Sequence, residues 1–447
     1  MNNVIQVFEH TTLPVGRHLT STRFDRLVQY NERHGNRFFA VGLNRIHFRN
    51  YVGVIQVGNL TIEILPKADK APDSPAQKQK WQGALIEMLR QSGFIRVASM
   101  SDARLRLRSS SLLDIYFESF LAEVDELVHH GLVRKYRQIC GNVPALKGRI
   151  LFQQHLTRNV VHRERFFTAH VFYDRNNPFN QILRIALDVL VRVSSNPHLV
   201  ALARNLAILF QDVDNVIVTE RTFTRLSYTR NTERYRRALQ LARLIILNYS
   251  PDVRGGREDV LAILFDMNCL FERFVYAQLK QAEARQAPRR ISFKAQVSRR
   301  FWSADGMQKS IRPDIIAHIG TGPDLERIVM DTKWKIPRDG KPGDADIQQM
   351  HAYNVQFGAR RSFLLYPRVT AKAGVRGRFV HGKALPPSFD HNCGMVFLEL
   401  FDGDKLRRDL GQDLVAMLTG PCGDTGRGNH SGARRREYPR HGQLRKQ

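Results

Sequence analysis

The chain has 447 residues, 43% hydrophobic and 25% charged, which is the composition of a folded, water-soluble protein with room for two or three domains. No apolar run reaches the roughly 18 residues of a membrane span, and four scattered cysteines (Cys140, Cys269, Cys393, Cys422) form no CxxC or Cys/His pair, which argues against a zinc site or a disulfide framework. Lys and Arg total 69 against 42 Asp and Glu, a formal charge of +27 that attracts polyanions and favours nucleic acid over anionic lipid. The opening MNNVIQVFEH has no basic stretch followed by an apolar one, so no secretory leader is expected; with the unpaired thiols this predicts a cytoplasmic protein.

Residues 1–70 read as a β-rich N-terminal region. Short strands are predicted at 38–43, 52–57 and 60–65, the last two joined by the hairpin signal Gly58-Asn59. Residues 80–250 read as mainly helical, with apolar residues at helical spacing over 81–92, 109–130, 180–193 and 233–248. Within this region, 131–165 is rich in Arg and Lys and broken by Gly141, Pro144 and Gly148, as in a projecting loop or β-arm. Pro251–Arg257 reads as a linker, followed by a last domain over 256–418 that opens with a helix from Asp259 to about Arg285. Strands follow near 291–297, 311–319, 327–336, 361–366 and 394–400, with a helix at 344–357. Residues 419–447 are Gly/Arg-rich with few apolar groups and are expected to be a disordered basic tail. The fold class expected is α/β in the α+β multidomain sense: a β-rich start, a helical middle and a C-terminal domain on a mixed central sheet.

The chemistry is concentrated in one predicted hairpin. Asp314 lies in the predicted strand Ile311-Arg312-Pro313-Asp314-Ile315-Ile316-Ala317-His318-Ile319, and Asp331 and Lys333 lie at alternate positions of Met330-Asp331-Thr332-Lys333-Trp334-Lys335, on one face. The two aspartates are 17 positions apart, a separation a hairpin closes. Two carboxylates beside a lysine suit phosphodiester hydrolysis: hard oxygens for Mg²⁺, and an ammonium to orient water and offset charge. Burying two carboxylates together is costly without a cation; the other reading is a cross-sheet ion pair with Asp314 as a strand-start turn residue. Asp314 and Asp331, aided by the Thr332 carbonyl, are the candidate metal ligands. The strand-borne PD and DxK elements are the signature of a PD-(D/E)xK nuclease domain. Gln349 and Tyr353, four apart on the 344–357 helix, resemble the QxxxY element of RecB-like nucleases, or form a polar helix face. Glu272 lies within an apolar helical stretch, either as an acid that supports the same site or as the partner of an arginine. A loop resembling a nucleotide-binding motif, Gly377 to Ala384, lacks the Ser/Thr that would hold Mg²⁺ and runs into Pro386-Pro387. No HExxH or Gly-x-Ser-x-Gly element occurs.

Read together, these segments resemble the McrC family, the nuclease subunit of the McrBC modification-dependent (5-methylcytosine-specific) restriction system. The likeness runs through Tyr51-Val52-Gly53-Val54-Ile55, Ile62-Glu63-Ile64-Leu65-Pro66-Lys67, Gly131 to Tyr136, Leu146-Lys147-Gly148-Arg149, Asn180 to Leu183, Phe265 to Glu272, Arg312-Pro313-Asp314 and Asp331 to Lys335. The resemblance implies a Mg²⁺-dependent endonuclease acting on double-stranded DNA in antiviral defence. It also implies a partner, a McrB-like AAA+ GTPase hexamer that reads the modified base and whose GTP hydrolysis this chain stimulates. The N-terminal region would dock on that ring, the 131–165 arm would project into it, and Arg149 is a candidate activating residue. Residues 194–250 look expanded relative to the family, and the basic tail has no family counterpart. Two other functions fit the same residues: a stand-alone Mg²⁺ nuclease of a repair or mobile-element system, and a GTPase-activating DNA-binding subunit that does not cut.

Overall fold

A computed structural model of the chain describes residues 3–68, 72–95, 111–251, 259–285, 291–368, 374–380 and 390–420. The chain divides into two compact units. The first comprises Met1–Ala277 with Phe401–Arg407, the second Gln278–Leu400 with Arg408–Gln447. Among the described residues the fold is mixed α/β, with several sheets and eleven α-helices.

The first unit begins with β1 (Asn3–Phe8), β2 (Thr12–Pro14), α1 (Ser21–Arg33), β3 (Phe39–Gly42), β4 (Arg45–Phe48), β5 (Tyr51–Val57) and β6 (Leu60–Leu65). β5 and β6 form the expected antiparallel hairpin, Val57 opposite Leu60, and β1 adds to β6 in parallel. Helix α1 falls in the region read as β-rich, over residues where no element is predicted. Thr20 caps its first turn, and Leu27 and Tyr30 are buried.

Next come α2 (Pro75–Gln91), α3 (Leu112–His129), β7 (Lys135–Val143), β8 (Arg149–Ile150), α4 (Phe152–Arg158), β9 (Phe166–Asp174), α5 (Pro178–Val193), α6 (Pro197–Ile208), α7 (Glu220–Thr224) and α8 (Arg236–Leu247). Helices α3, α5, α6 and α8 pack on one another as the helical middle region. The predicted arm is a long β7–β9 ribbon, paired antiparallel from Lys135↔Asp174 to Val143↔Phe166, with β8 on the outer side of β9. Gly148 takes positive φ at the entry to β8, where a Cβ would lie 2.4 Å from the Ala169 carbonyl, so only glycine fits that approach.

β10 (Tyr249–Ser250) and β11 (Val260–Asp266) finish the main sheet of this unit, whose order is β1-β6-β5-β11-β10. The predicted linker falls largely on residues 252–258, outside the described ones. Residues 260–266, expected as the start of the last domain's helix, instead form a buried strand antiparallel to β5. An unbroken apolar run flanked on both sides by other strands is how a doubly covered central strand reads. The helix α9 (Met267–Arg285) starts only afterwards.

The second unit holds β12 (Ile291–Ala295), β13 (Arg299–Ala304), β14 (Met307–Ile311), β15 (Ile315–Ile319), β16 (Glu326–Thr332), α10 (Asp344–Phe357), β17 (Arg361–Pro367), β18 (Val375–Arg378), β19 (Asn392–Leu398) and α11 (Leu410–Thr419). Its six-stranded mixed sheet runs β12-β15-β16-β17-β19-β18. The expected 311–319 strand is split, because 307–311 pairs with 299–304 as a separate hairpin. Helix α10 matches its prediction, ending on Gly358 in the left-handed conformation and packing Met350, Tyr353 and Phe357 against the sheet.

Candidate active site

β15 and β16 are antiparallel, with Ile315 opposite Met330 as the last pair. One step further along the same register, Asp314 stands opposite Asp331, so the hairpin brings the two carboxylates to one end of the sheet. Asp314 is fixed there by a double contact: the Thr332 N–H and hydroxyl both donate to its Oδ2 at 2.8 Å. Asp331 is 2% exposed. Its Oδ2 accepts no aligned hydrogen bond, and its neighbour is the Lys333 ammonium at 2.7 Å.

Lys333 connects the strand to α10. Its Nζ donates to Gln349 Oε1 at 3.0 Å; Gln349 Nε2 donates to the Tyr353 hydroxyl at 2.7 Å; and that hydroxyl donates to the Arg312 carbonyl at 3.1 Å. Gln349 and Tyr353 thus work as one face of the helix, reaching from the lysine back to the strand that carries Asp314. Asp346, three residues before Gln349 on the same face, adds a third carboxylate. It lies 3.5 Å from Lys333 and 2.6 Å from Lys335, and takes a hydrogen bond from Tyr366 at 3.4 Å. The sequence reading overlooked Asp346, which looks like an ordinary acid of a helix first turn; its three-residue spacing from Gln349 was the available signal.

Burial pushes the Asp331 carboxyl up to about 6, reinforced by the Asp314 charge and only partly offset by Lys333. Burial also raises Asp314, against the two Thr332 hydrogen bonds. Burial pulls Lys333 down, but the carboxylates of Asp331, Asp346 and Asp314 outweigh it, so its pKa is raised and it is firmly an ammonium at neutral pH. Asp346 resists its own burial and is lowered by Lys335 and Lys333. Two carboxylates that repel each other in a buried place, one with an oxygen lacking an aligned donor, form a donor set suited to a hard divalent cation. Among the described residues no group of three or more His, Cys, Asp and Glu side chains has metal-holding geometry. A cation here would rest on two carboxylates and on other oxygens for the remainder.

The structure therefore brings Asp314, Asp331, Thr332, Lys333, Gln349 and Tyr353 together in the second unit. Glu272 lies half-buried on the stretch of α9 that belongs to the first unit and is not among the side chains joined by these contacts. Arg149 is exposed at the start of β8 on the ribbon.

Among solved structures, the chain is similar to one chain of the refined half-complex from the tetradecameric assembly of Thermococcus gammatolerans McrB AAA+ hexamers with bound McrC. The TM-score is 0.63 at 17% identity, covering 93% of this chain and 100% of that one. A second likeness is to the cryo-EM structure of the Thermococcus gammatolerans McrBC complex, with a TM-score of 0.47 at 22% identity over 64% of this chain and 89% of that one. No curated protein matches the chain. The first likeness concerns the fold; the family follows from the sequence itself. Residues 46–367, more than half of the chain, match the family model described as McrBC 5-methylcytosine restriction system component, and the chain belongs to that family.

Proposed function

We propose that the chain is the Mg²⁺-dependent DNA endonuclease subunit of a McrBC-like restriction complex and that the second unit is its PD-(D/E)xK nuclease domain. The observation that carries this is the paired Asp314 and Asp331 carboxylates, held opposite each other at the sheet end with the Lys333 ammonium 2.7 Å from Asp331. Asp314 and Asp331, with the Thr332 carbonyl, would hold the Mg²⁺. When bound, the ion would withdraw charge from the phosphate and acidify a water molecule. Thr332 fixes Asp314 in one orientation, so the carboxylate need not reorganise. Lys333 stays protonated, so it donates to the attacking water or to a phosphate oxygen and does not act as the base. Gln349, Tyr353 and Asp346 hold that ammonium from the helix side. Glu272 is assigned a supporting role only by the family resemblance.

The formal charge of +27 supports DNA as the polyanion. Membership of the family, and a fold similar to a chain of an assembly of McrB AAA+ hexamers with bound McrC, support a McrB-type GTPase as the partner that selects modified cytosine and drives cleavage in the cytoplasm. The β7–β9 ribbon, with Tyr136 and Tyr173 more than half exposed, is the element proposed to engage that ring and stimulate its GTP hydrolysis.

A coupled assay with the GTPase partner and methylated plasmid, reading GTP turnover and DNA cleavage separately, tests this. Asp331→Ala is expected to lower cleavage at least about 10²-fold while GTP turnover stays. Full cleavage by the variant would sink the site assignment. A wild-type protein that stimulates GTP turnover without cutting would make the chain an activator only.

A further inference from the structure

The β13–β14 hairpin is unlike every other strand pair of the second unit. Residues 298–310 are all exposed, so neither face of the ribbon packs on the sheet. A bare two-stranded ribbon is marginal in water, and this one carries Phe301, Trp302 and Met307 exposed at 49%, 45% and 59%. A bulge between Arg300 and Trp302 makes Phe301 the extra residue of its strand, and the register then sets Trp302 directly opposite Lys309 and Ala304 opposite Met307. Arg299, Arg300 and Lys309 against Asp305 leave the hairpin at +2, with Arg312 following it.

Both feet of the ribbon are fastened beside the candidate site. On one side Arg299 donates to the Gln356 carbonyl at 2.7 Å and lies 4.8 Å from the Phe357 ring centre, on the helix that carries Gln349 and Tyr353. On the other, the Arg312 carbonyl accepts from Tyr353 two residues before Asp314. The base is thus held beside the carboxylates while the aromatic side chains of the ribbon stand in solvent.

We propose that this hairpin is a DNA grip: Trp302 and Phe301 stack on a base of the strand being cut, and Arg300 and Lys309 contact its phosphates. Aromatic faces interleaved with cations are how sequence-independent grips on a nucleic acid strand are built. The net positive charge and the covalent continuity with Asp314 favour DNA over a protein as occupant. This inference rests on the DNA-cutting reading given above.

The test uses the purified full-length chain with EDTA, so that no cleavage intervenes, titrated with a fluorescein-labelled duplex bearing a single-stranded end at low salt. Of the three tryptophans, Trp81 is 2% and Trp334 8% exposed, so emission changes on DNA binding report mainly Trp302. DNA is expected to quench the wild-type emission. F301A/W302A is expected to bind about 5- to 100-fold more weakly with unchanged thermal unfolding, a loss set by stacking on one base. W302F should keep most of the affinity and lose the quenching. If the double alanine variant does not fold, R300E/K309E carries the test, and should both weaken binding and flatten its salt dependence. Equal affinity for wild type and these variants, without quenching, would overturn the grip, leave the nuclease reading standing and leave the hairpin to a protein partner. A wild-type chain that binds no DNA would overturn both.

Discussion

Each unit buries a carboxylate on a central strand, and the two are handled in opposite ways. Glu63 on β6 is 0% exposed and accepts from three fixed, neutral donors, the Gln6 and Gln82 side chains at 2.8 Å and the Leu112 N–H at 2.6 Å. Asp331 on β16 is almost as buried, but it faces a second carboxylate and one lysine. Burial raises the pKa of both; at Glu63 three hydrogen bonds oppose it and the Asp114 charge adds least, whereas at Asp331 the Asp314 charge is the largest addition to burial. A carboxylate that accepts from three donors belonging to the fold joins β1, α2, α3 and β6 as a structural fastening. A carboxylate opposed by another carboxylate keeps unmet affinity for a cation, at a cost to stability. Burial alone does not mark an active site; the sign of what surrounds the buried group does.

The contrast can be broken at its strongest point first. Glu63→Ala removes the acceptor for three buried donors and is expected to cost about 3 kcal/mol, seen as a lower urea midpoint for unfolding. A shift within error would mean that the glutamate is not the fastening it looks like. At Asp331 the same experiment should show the reverse sense. Its pKa is raised in the folded state from the usual 3.8 to about 6, so its contribution is most favourable below about pH 4 and is lost as pH rises toward 6. Wild type should therefore lose on the order of 2 kcal/mol relative to Asp331→Asn between those limits in EDTA. Mg²⁺ at neutral pH should restore much of it in wild type and nothing in the variant, whereas an identical pH profile for the two proteins would remove the repulsion argument. The smallest effect is expected at Tyr353→Phe, which deletes the hydroxyl linking Gln349 to the Arg312 carbonyl. About 1 kcal/mol of transition-state stabilisation is at stake there, a several-fold drop in cleavage rate with folding intact. A drop as deep as that of Asp331→Ala would promote Tyr353 from a positioning residue to a direct participant.

Legibility in the sequence followed how local the physics was. The Asp314–Asp331 pairing was readable because strand alternation and a 17-residue separation suffice to bring two hairpin positions together. Helix α10 was readable because its acidic first turn and the αL Gly358 mark both ends. Helix α1 was hidden by its polar residues and a neighbourhood of strands; its identity rests on the packing of Leu27 and Tyr30 in the core. The β13–β14 ribbon gave no warning, because a pair with two exposed faces has no inward-facing period to detect. Asp346 shares a helix face with Gln349 by its spacing, but the two lysines that converge on it come together only in the fold.

The placement of β11 has a practical consequence for dissecting the protein. Gly53 on β5 sits at a positive φ where a Cβ would lie 2.1 Å from the Ile263 carbonyl, so the two strands meet on terms only glycine allows. The first sheet therefore stays open until a segment some two hundred residues later in the chain has been synthesised, a non-local closure of the slow-folding kind. Truncation at the apparent linker near residue 256 would leave β5 as a raw edge on one fragment and an orphaned apolar strand on the other, both prone to aggregate.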